Sequence, residues 1–213
     1  GATGLVGSAL LQQMISDEHF EAIHSFGRKL PQTESSSHIP HTVDFDNPES
    51  WNSLLQGDVL YSAMGTTLKK AGSKEAQYRI DFTYQYETAK AAAENGVRHY
   101  VLVSSAGASS KSNVFYSRIK GELEEAVIKL PFEKITIIQP SLLTGARKEF
   151  RLGEKVFSIL MLPLRFIPFL KKYRPISADV VAQAMIAVSL NPSVKRVHKV
   201  VLGEVFELAK KVK

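Results

Sequence analysis

A chain of 213 residues, 44% apolar and 23% charged, is long enough for one full α/β domain with a real core and short for two, and its composition excludes disorder as the default. The absence of cysteine removes disulfide scaffolds, cysteine-ligated zinc and thiol nucleophiles; it is compatible with a reducing compartment, and the cytoplasm is the simplest expectation. The formal charge of +6 comes from scattered lysines and small clusters (Lys69 with Lys70, Arg147 with Lys148, Lys171 and Lys172 with Arg174, and Lys210, Lys211 and Lys213), whose lack of interleaved aromatics favours solvated surface and phosphate attraction over nucleic-acid binding.

The chain opens with GATGLVG, in which three glycines are spaced three apart, and continues into SALLQQMIS. Leu5, Val6, Ala9, Leu10 and Met14 recur at helical spacing, so the glycines sit where a loop enters a helix. A helix start offers unpaired N–H groups and a positive dipole end, which together suit a phosphate. Such a loop normally follows a buried strand, and a short apolar strand upstream of Gly1 is expected in the intact protein.

EAIHSFGRK then reads as a strand stopped by Gly27, followed by a Ser, Pro and His-rich loop to Pro40 and a further strand at HTVDFD. NPESWNSLL predicts a short helix with Pro48 near its first turn, and DVLYSAMG a strand. A long helix is expected from about Ser73 to Asn95, capped by Gly96, before the apolar run RHYVLVSSAG, a strand buried on both faces. A helix at FYSRIKGELEEAVIK leads to the strand KITIIQPS, closed by Pro140. The run VFSILMLPLRFIPFL, from Val156 to Leu170, is too short and too interrupted by Pro163, Arg165 and Pro168 to span a bilayer, and reads as core, lid or subunit contact. RPISADVVAQAMIAVSLNP predicts a helix capped by Ser177, and a short strand near KVVLG and a basic helix close the chain.

Strands alternating with helices, and strands written as continuous apolar runs, predict a doubly wound parallel α/β sheet, whose ligands sit outside the carboxyl ends of the strands. Residues 1–213 are read as one NAD(P)-binding domain, with 144–213 contributing the substrate-side wall. About twenty positions past the glycine loop, where the adenosine ribose is discriminated, the sequence reads FGRK. Arg28, with Lys29 beside it, suits a 2'-phosphate, so NADP(H) is favoured over NAD(H); Asp44 or Asp46 remains able to approach the adenosine.

Tyr116 and Lys120 stand four apart on a predicted helix, hence on one face, after a strand ending in Ser104 and Ser105. An ammonium beside a phenol favours the phenolate and makes the tyrosine a usable acid or base, and a serine hydroxyl can hold a substrate oxygen. Hydride transfer to a carbonyl needs both. GATGLVG, VSSAG and YSRIK, in that order, resemble the short-chain dehydrogenase/reductase superfamily. SAMGTTLKKAGSKEAQYRID, SSAGASSKSNVFYSRIKGELE and QPSLLTG resemble its atypical reductases related to the Tat-interactive protein group.

That resemblance implies an NADPH-binding Rossmann fold with a catalytic Ser105, Tyr116 and Lys120, Lys120 also binding the nicotinamide ribose. It implies a pyrophosphate held by Gly1, Thr3, Gly4, Leu5, Val6 and Gly7, a cofactor loop at Ala63, Met64, Gly65 and Thr66, and a segment beside the nicotinamide from Pro140 through Ser141, Leu142 and Leu143. Ser104 belongs to the same cofactor-side cluster, and since adjacent strand residues point to opposite sides, Ser105 is favoured as the one facing substrate. The superfamily often adds an asparagine in the helix after the fourth strand; the nearest polar position is Asp81, to which that role is not assigned. The expected function is an NADPH-dependent oxidoreductase acting on a small carbonyl compound or its alcohol. The alternatives are a cofactor-sensing regulatory protein with little turnover, or an epimerase or dehydratase using the cofactor internally. No metal is implied, and a homodimer through the helices of Ser73–Asn95 and Val114–Lys129 competes with their use in covering the sheet.

Overall fold

Alternate residues of the run 99–103 point to opposite faces, and every one is buried: Val101 and Val103 enter one core, Tyr100 and Leu102 another. A strand that is apolar on both sides demands cover on both sides, and the computed structural model, which describes residues 1–31, 33–144 and 173–211, supplies it. The elements in chain order are α1 (Leu5–Ile15), β1 (Ile23–Gly27), β2 (His38–Thr42), two 3-10 turns (Pro48–Ser50 and Asn52–Leu54), β3 (Val59–Ser62), α2 (Leu68–Ala71) and α3 (Lys74–Tyr78). A π-turn (Arg79–Thr83), α4 (Tyr84–Glu94), β4 (His99–Val103), α5 (Phe115–Val127), β5 (Lys134–Gln139) and β6 (Leu143–Thr144) follow. The chain ends through β7 (Ile176–Ser177), α6 (Ala178–Leu190), β8 (Val197–Val201) and α7 (Gly203–Ala209).

All strand pairs are parallel: β3-β4-β5-β8 form a four-stranded sheet, and β1-β2 and β6-β7 form two smaller ones. One core packs α1, α6 and α7 against one face of β4, β5 and β8; Val6, Leu10, Leu11 and Met14 of α1 also meet Ile23 of β1, so this helix joins the separate β1-β2 pair to the main sheet through side chains. The opposite core packs α4 and α5 on Tyr100, Leu102, Ile135 and Ile137, together with Val43, Phe45 and Trp51. The apolar faces of α4 and α5 are therefore spent on the sheet. The architecture is the doubly wound α/β class expected.

Three local expectations are corrected. The strand expected at 41–46 lies at 38–42, and takes in Pro40, tolerated because β2 is bonded on one side only. The short helix near Trp51 is two 3-10 turns; Trp51, 1% exposed, leaves helical geometry between them and donates its indole N–H to the Asp44 carbonyl. The long helix to Asn95 is interrupted by the π-turn and preceded by α2, which ends at Gly72; its predicted stop holds, since Gly96 takes φ +86, a left-handed conformation that costs glycine least. Ser177 caps α6 as expected, accepting the Val180 N–H. The run Val156–Leu170 and the basic residues Arg147, Lys148, Lys171, Lys172 and Lys213 lie outside the described residues. Among the described residues no helix is long and apolar enough to cross a membrane.

His99, at the start of β4, is buried and shares a 3.0 Å hydrogen bond with Thr136. Burial, reinforced by the Lys134 charge, pushes its pKa down to about 4. Between that value and the ordinary 6.5 the unfolded chain binds a proton that the folded chain refuses, so stability is full above about pH 6.5 and falls as the pH drops toward 4. The loss is about 2–3 kcal/mol. Denaturant melts at pH 7 and pH 4.5 should show a steeper decline for the native chain than for His99→Gln; parallel declines would contradict this assignment.

Candidate functional site

The glycine loop is pressed against the carboxyl end of β3. A Cβ on Gly1 would lie 2.6 Å from the Ala63 carbonyl carbon and 2.7 Å from the Met64 nitrogen, and a Cβ on Gly7 would lie 2.1 Å from the Gly1 carbonyl oxygen. Backbone fills that space, so no other residue type fits without moving a strand end or a helix. Gly4 N–H donates to the Gly1 carbonyl at 2.9 Å, and α1 begins at Leu5 with no side-chain cap. Val6 is buried and Leu5 packs on the same core, so what their positions offer a ligand is backbone N–H, as the first turn of a helix always does; Thr3 is exposed beside them. A cradle of this shape, closed to any Cβ and lined by helix-start amides, fits a pyrophosphate.

Arg28 and Lys29 are exposed directly after β1. Asp44 is exposed after β2; its carboxylate accepts the Asp46 N–H at 3.0 Å and its carbonyl is taken by Trp51. Beyond β3, Ala63 and Met64 meet the glycine loop, and Gly65 faces two charged groups: a Cβ there would stand 3.4 Å from Asp81 Oδ1 and 3.9 Å from Lys120 Nζ. Thr66 N–H donates to Asp81 Oδ1 at 2.7 Å. Lys120, on α5, is 3% exposed, so its ammonium is delivered from the helix interior to the loop that abuts the glycines. Tyr116 lies one turn earlier on α5 and is half-buried.

Ser104 and Ser105 part company. The Ser104 hydroxyl donates to Glu124 Oε1 at 2.5 Å; Glu124, 2% exposed, also accepts from Gln139 Nε2 at 2.7 Å and Lys199 Nζ at 2.8 Å. The Ser105 side chain is half-buried, and its hydroxyl makes a long 3.4 Å contact to the Ala106 carbonyl. The loop after it lies directly on α5: Ser109 N–H donates to the Ser117 carbonyl at 3.0 Å, and a Cβ on Gly121 would fall 2.2 Å from both the Ser109 carbonyl carbon and the Ser110 nitrogen. Pro140 is buried and its carbonyl accepts the Ala106 N–H at 3.0 Å; the Ser141 hydroxyl donates to the Arg174 carbonyl at 2.5 Å, the Leu142 carbonyl accepts from Ile176, and Leu143 pairs with Ile176 in β6-β7. Glu124 and the Gly121 contact were not legible as functional features; a glycine inside an otherwise strong helix was the available sign.

A parallel sheet with a Cβ-closed glycine cradle at one strand end defines a dinucleotide-binding α/β protein of the Rossmann type. Residues 1–155 match the family described as NAD(P)H-binding. The chain is 40% identical over 163 residues to Protein fmp52, mitochondrial, of Emericella nidulans, covering 73% of this chain and 70% of that one, and 32% identical over 205 residues to Protein FMP52, mitochondrial, of Coccidioides immitis, covering 89% and 83%. It belongs to this FMP52 family of NAD(P)H-binding proteins. Among solved structures it resembles the oxidoreductase ylbE of Lactococcus lactis, with a TM-score of 0.66, 21% identity and coverage of 97% and 93%. It also resembles a UDP-glucose 4-epimerase of Thermotoga maritima, with a TM-score of 0.67, 12% identity and coverage of 99% and 80%; both likenesses concern the fold. The relatives carry mitochondrial names, which overturns the cytoplasmic expectation: lack of cysteine speaks to redox conditions and does not distinguish one reducing compartment from another.

Gly121→Ala should therefore cost about 1–3 kcal/mol, because the added methyl meets backbone and not a yielding side chain. Denaturant melts and limited proteolysis at the exposed Lys111 are the measurements; unchanged stability together with unchanged cleavage would show that the loop does not need the glycine.

Proposed function

We propose that this protein is an NADPH-dependent oxidoreductase of the atypical short-chain dehydrogenase/reductase type, transferring hydride to or from a small carbonyl or alcohol substrate, and that it works in mitochondria as its relatives' names state for them. The observation that carries the reading is the delivery of a buried lysine, Lys120, to the Gly65 loop, which itself abuts the glycine cradle. The resemblance to the atypical reductases adds the roles.

A bound nicotinamide supplies or accepts the hydride. Tyr116 Oη then gives the proton to the substrate oxygen in reduction and takes it back in oxidation, with the Lys120 ammonium, one turn along the same helix, holding the ribose. Ser105 Oγ donates to the substrate oxygen, a role open to it because Ser104 is committed to Glu124. Leu5, Val6 and Gly7 offer backbone N–H groups to the pyrophosphate, and Arg28 with Lys29 pairs with the 2'-phosphate that distinguishes NADP from NAD. Pro140 to Leu143 lies beside the nicotinamide, and the chain around Arg174 to Ile176 that pairs with it belongs to the substrate-side wall.

Tyr116→Phe should abolish turnover, by at least about 100-fold, while leaving NADPH affinity nearly intact, since only the transferable proton is lost. Lys120→Ala should damage both, and Ser105→Ala should lower the rate with little effect on the nucleotide. A Tyr116→Phe protein fully active on a good carbonyl substrate would end this mechanism. Arg28→Ala should weaken NADPH about tenfold and NADH hardly at all, read by nucleotide fluorescence titration; equal losses, or tighter NADH than NADPH binding in the native chain, would remove the cofactor preference.

A further inference from the structure

Asp81 is fully buried, with 0% exposure, and is assigned no part in the chemistry above. It sits in the π-turn, a helix irregularity frequent at functional sites. The side chain ties the turn to the cofactor loop: Oδ1 accepts the Thr66 N–H at 2.7 Å and Oδ2 accepts from Gln77 Nε2 at 3.3 Å. The backbone carbonyl of Asp81 accepts from Gln85 Nε2 at 2.7 Å, and Gln85 Oε1 in turn accepts from the hydroxyl of Ser62, the last residue of β3. Carboxylate and backbone are thus both anchored, each to a different point of the β3 end.

The same Oδ1 lies 3.4 Å, and Lys120 Nζ 3.9 Å, from the point where Gly65 would carry a Cβ. A carboxylate oxygen and an ammonium nitrogen thus both come within 4 Å of one point beside a residue with no side chain, and both residues are buried. Burying a carboxylate is costly, and so is burying an ammonium; placed near the same point, each lowers the cost of the other. An asparagine would still accept the Thr66 N–H through Oδ1, but would not attract the lysine.

We propose that Asp81 is a positioning residue: its carboxylate draws the Lys120 ammonium to the Gly65 loop while holding that loop through Thr66, so that loop and lysine meet the nucleotide as one preassembled unit. The proposal rests on the reading of Lys120 as a nucleotide-ribose contact. It predicts a coupling between two residues on different helical segments that a purely structural role for Asp81 does not produce.

The test is a double-mutant cycle on NADPH affinity, by fluorescence titration of the full chain, with native, Asp81→Asn, Lys120→Met and doubly substituted proteins, and with thermal melts alongside. Asp81→Asn, which keeps the Thr66 acceptor, should melt near the native temperature and bind NADPH about tenfold more weakly; in the Lys120→Met background the same change should have almost no effect. On a carbonyl substrate, its kcat should fall while the KM for the carbonyl stays nearly constant. Equal losses in both backgrounds, or native affinity in Asp81→Asn, overturn the proposal. Should the asparagine protein fail to fold, Asp81→Ser, which retains a hydroxyl acceptor and removes the charge, takes its place in the cycle. Because the cycle reads binding and not turnover, it is independent of Tyr116: a Tyr116→Phe enzyme that remained active would defeat the reaction mechanism and leave the coupling standing.

Discussion

The contact on which the site depends is backbone against backbone, where the opening loop meets the end of β3. Gly1 stands where a Cβ would overlap Ala63 and Met64, and Gly7 where one would overlap Gly1 itself. This close approach sets the distance between the first turn of α1 and the carboxyl ends of the strands, which decides whether helix-start amides reach a phosphate. It also sets how α1 lies on the sheet. Val6, Leu10, Leu11 and Met14 then reach Ile23 on one side and the β4, β5 and α6 core on the other, so one helix carries the packing that joins the two sheets.

A second backbone contact plays the same part at α5. With Gly121 bare, the chain from Ser109 to Ser110 lies on the helix, and the loop leaving β4 is held next to the turn that carries Tyr116 and Lys120. Beneath it, Glu124 gathers the Ser104 hydroxyl, the Gln139 amide and the Lys199 ammonium. A buried carboxylate is kept in place by such donors and would be destabilising without them. The consequence for the site is directional: the inward serine is occupied, whereas the hydroxyl of its half-buried neighbour makes only a long contact to the Ala106 carbonyl.

Charge is distributed between these contacts in a consistent way. The two carboxylates buried deepest among the described residues, Asp81 and Glu124, lie on helical segments on either side of Lys120 and are met by donors from strand ends and loops. The exposed cations behave differently: Arg28 and Lys29 project after β1, whereas Arg174 lies over the Phe206 ring at 3.9 Å and Arg196 donates to the carbonyls of Phe132, Ile128 and Leu130 at the end of α5. The net charge of +6 is thus a mixture of structural cations and a few open ones.

The sequence by itself determined the class of the fold, the order of the main strands and helices, and the ligand type, because these follow from local pattern. Continuous apolar runs such as 99–103 require two covered faces, Ser177 and Gly96 mark helix ends through their own chemistry, and three glycines before an amphipathic helix have few other uses. Tyr116 and Lys120 were legible because a spacing of four is one helical turn. What only the tertiary structure decided involves partners far apart in the chain. Pro40 reads as a loop residue until β2 is seen to be bonded on one side only, and the helix after β3 reads as continuous until Asp81 is seen reaching Thr66 while Gln85 takes its carbonyl. That Ser104 is the serine bound inward was decided by Glu124, twenty residues away, since alternation along a strand says that two neighbours face opposite ways but not which way holds a partner.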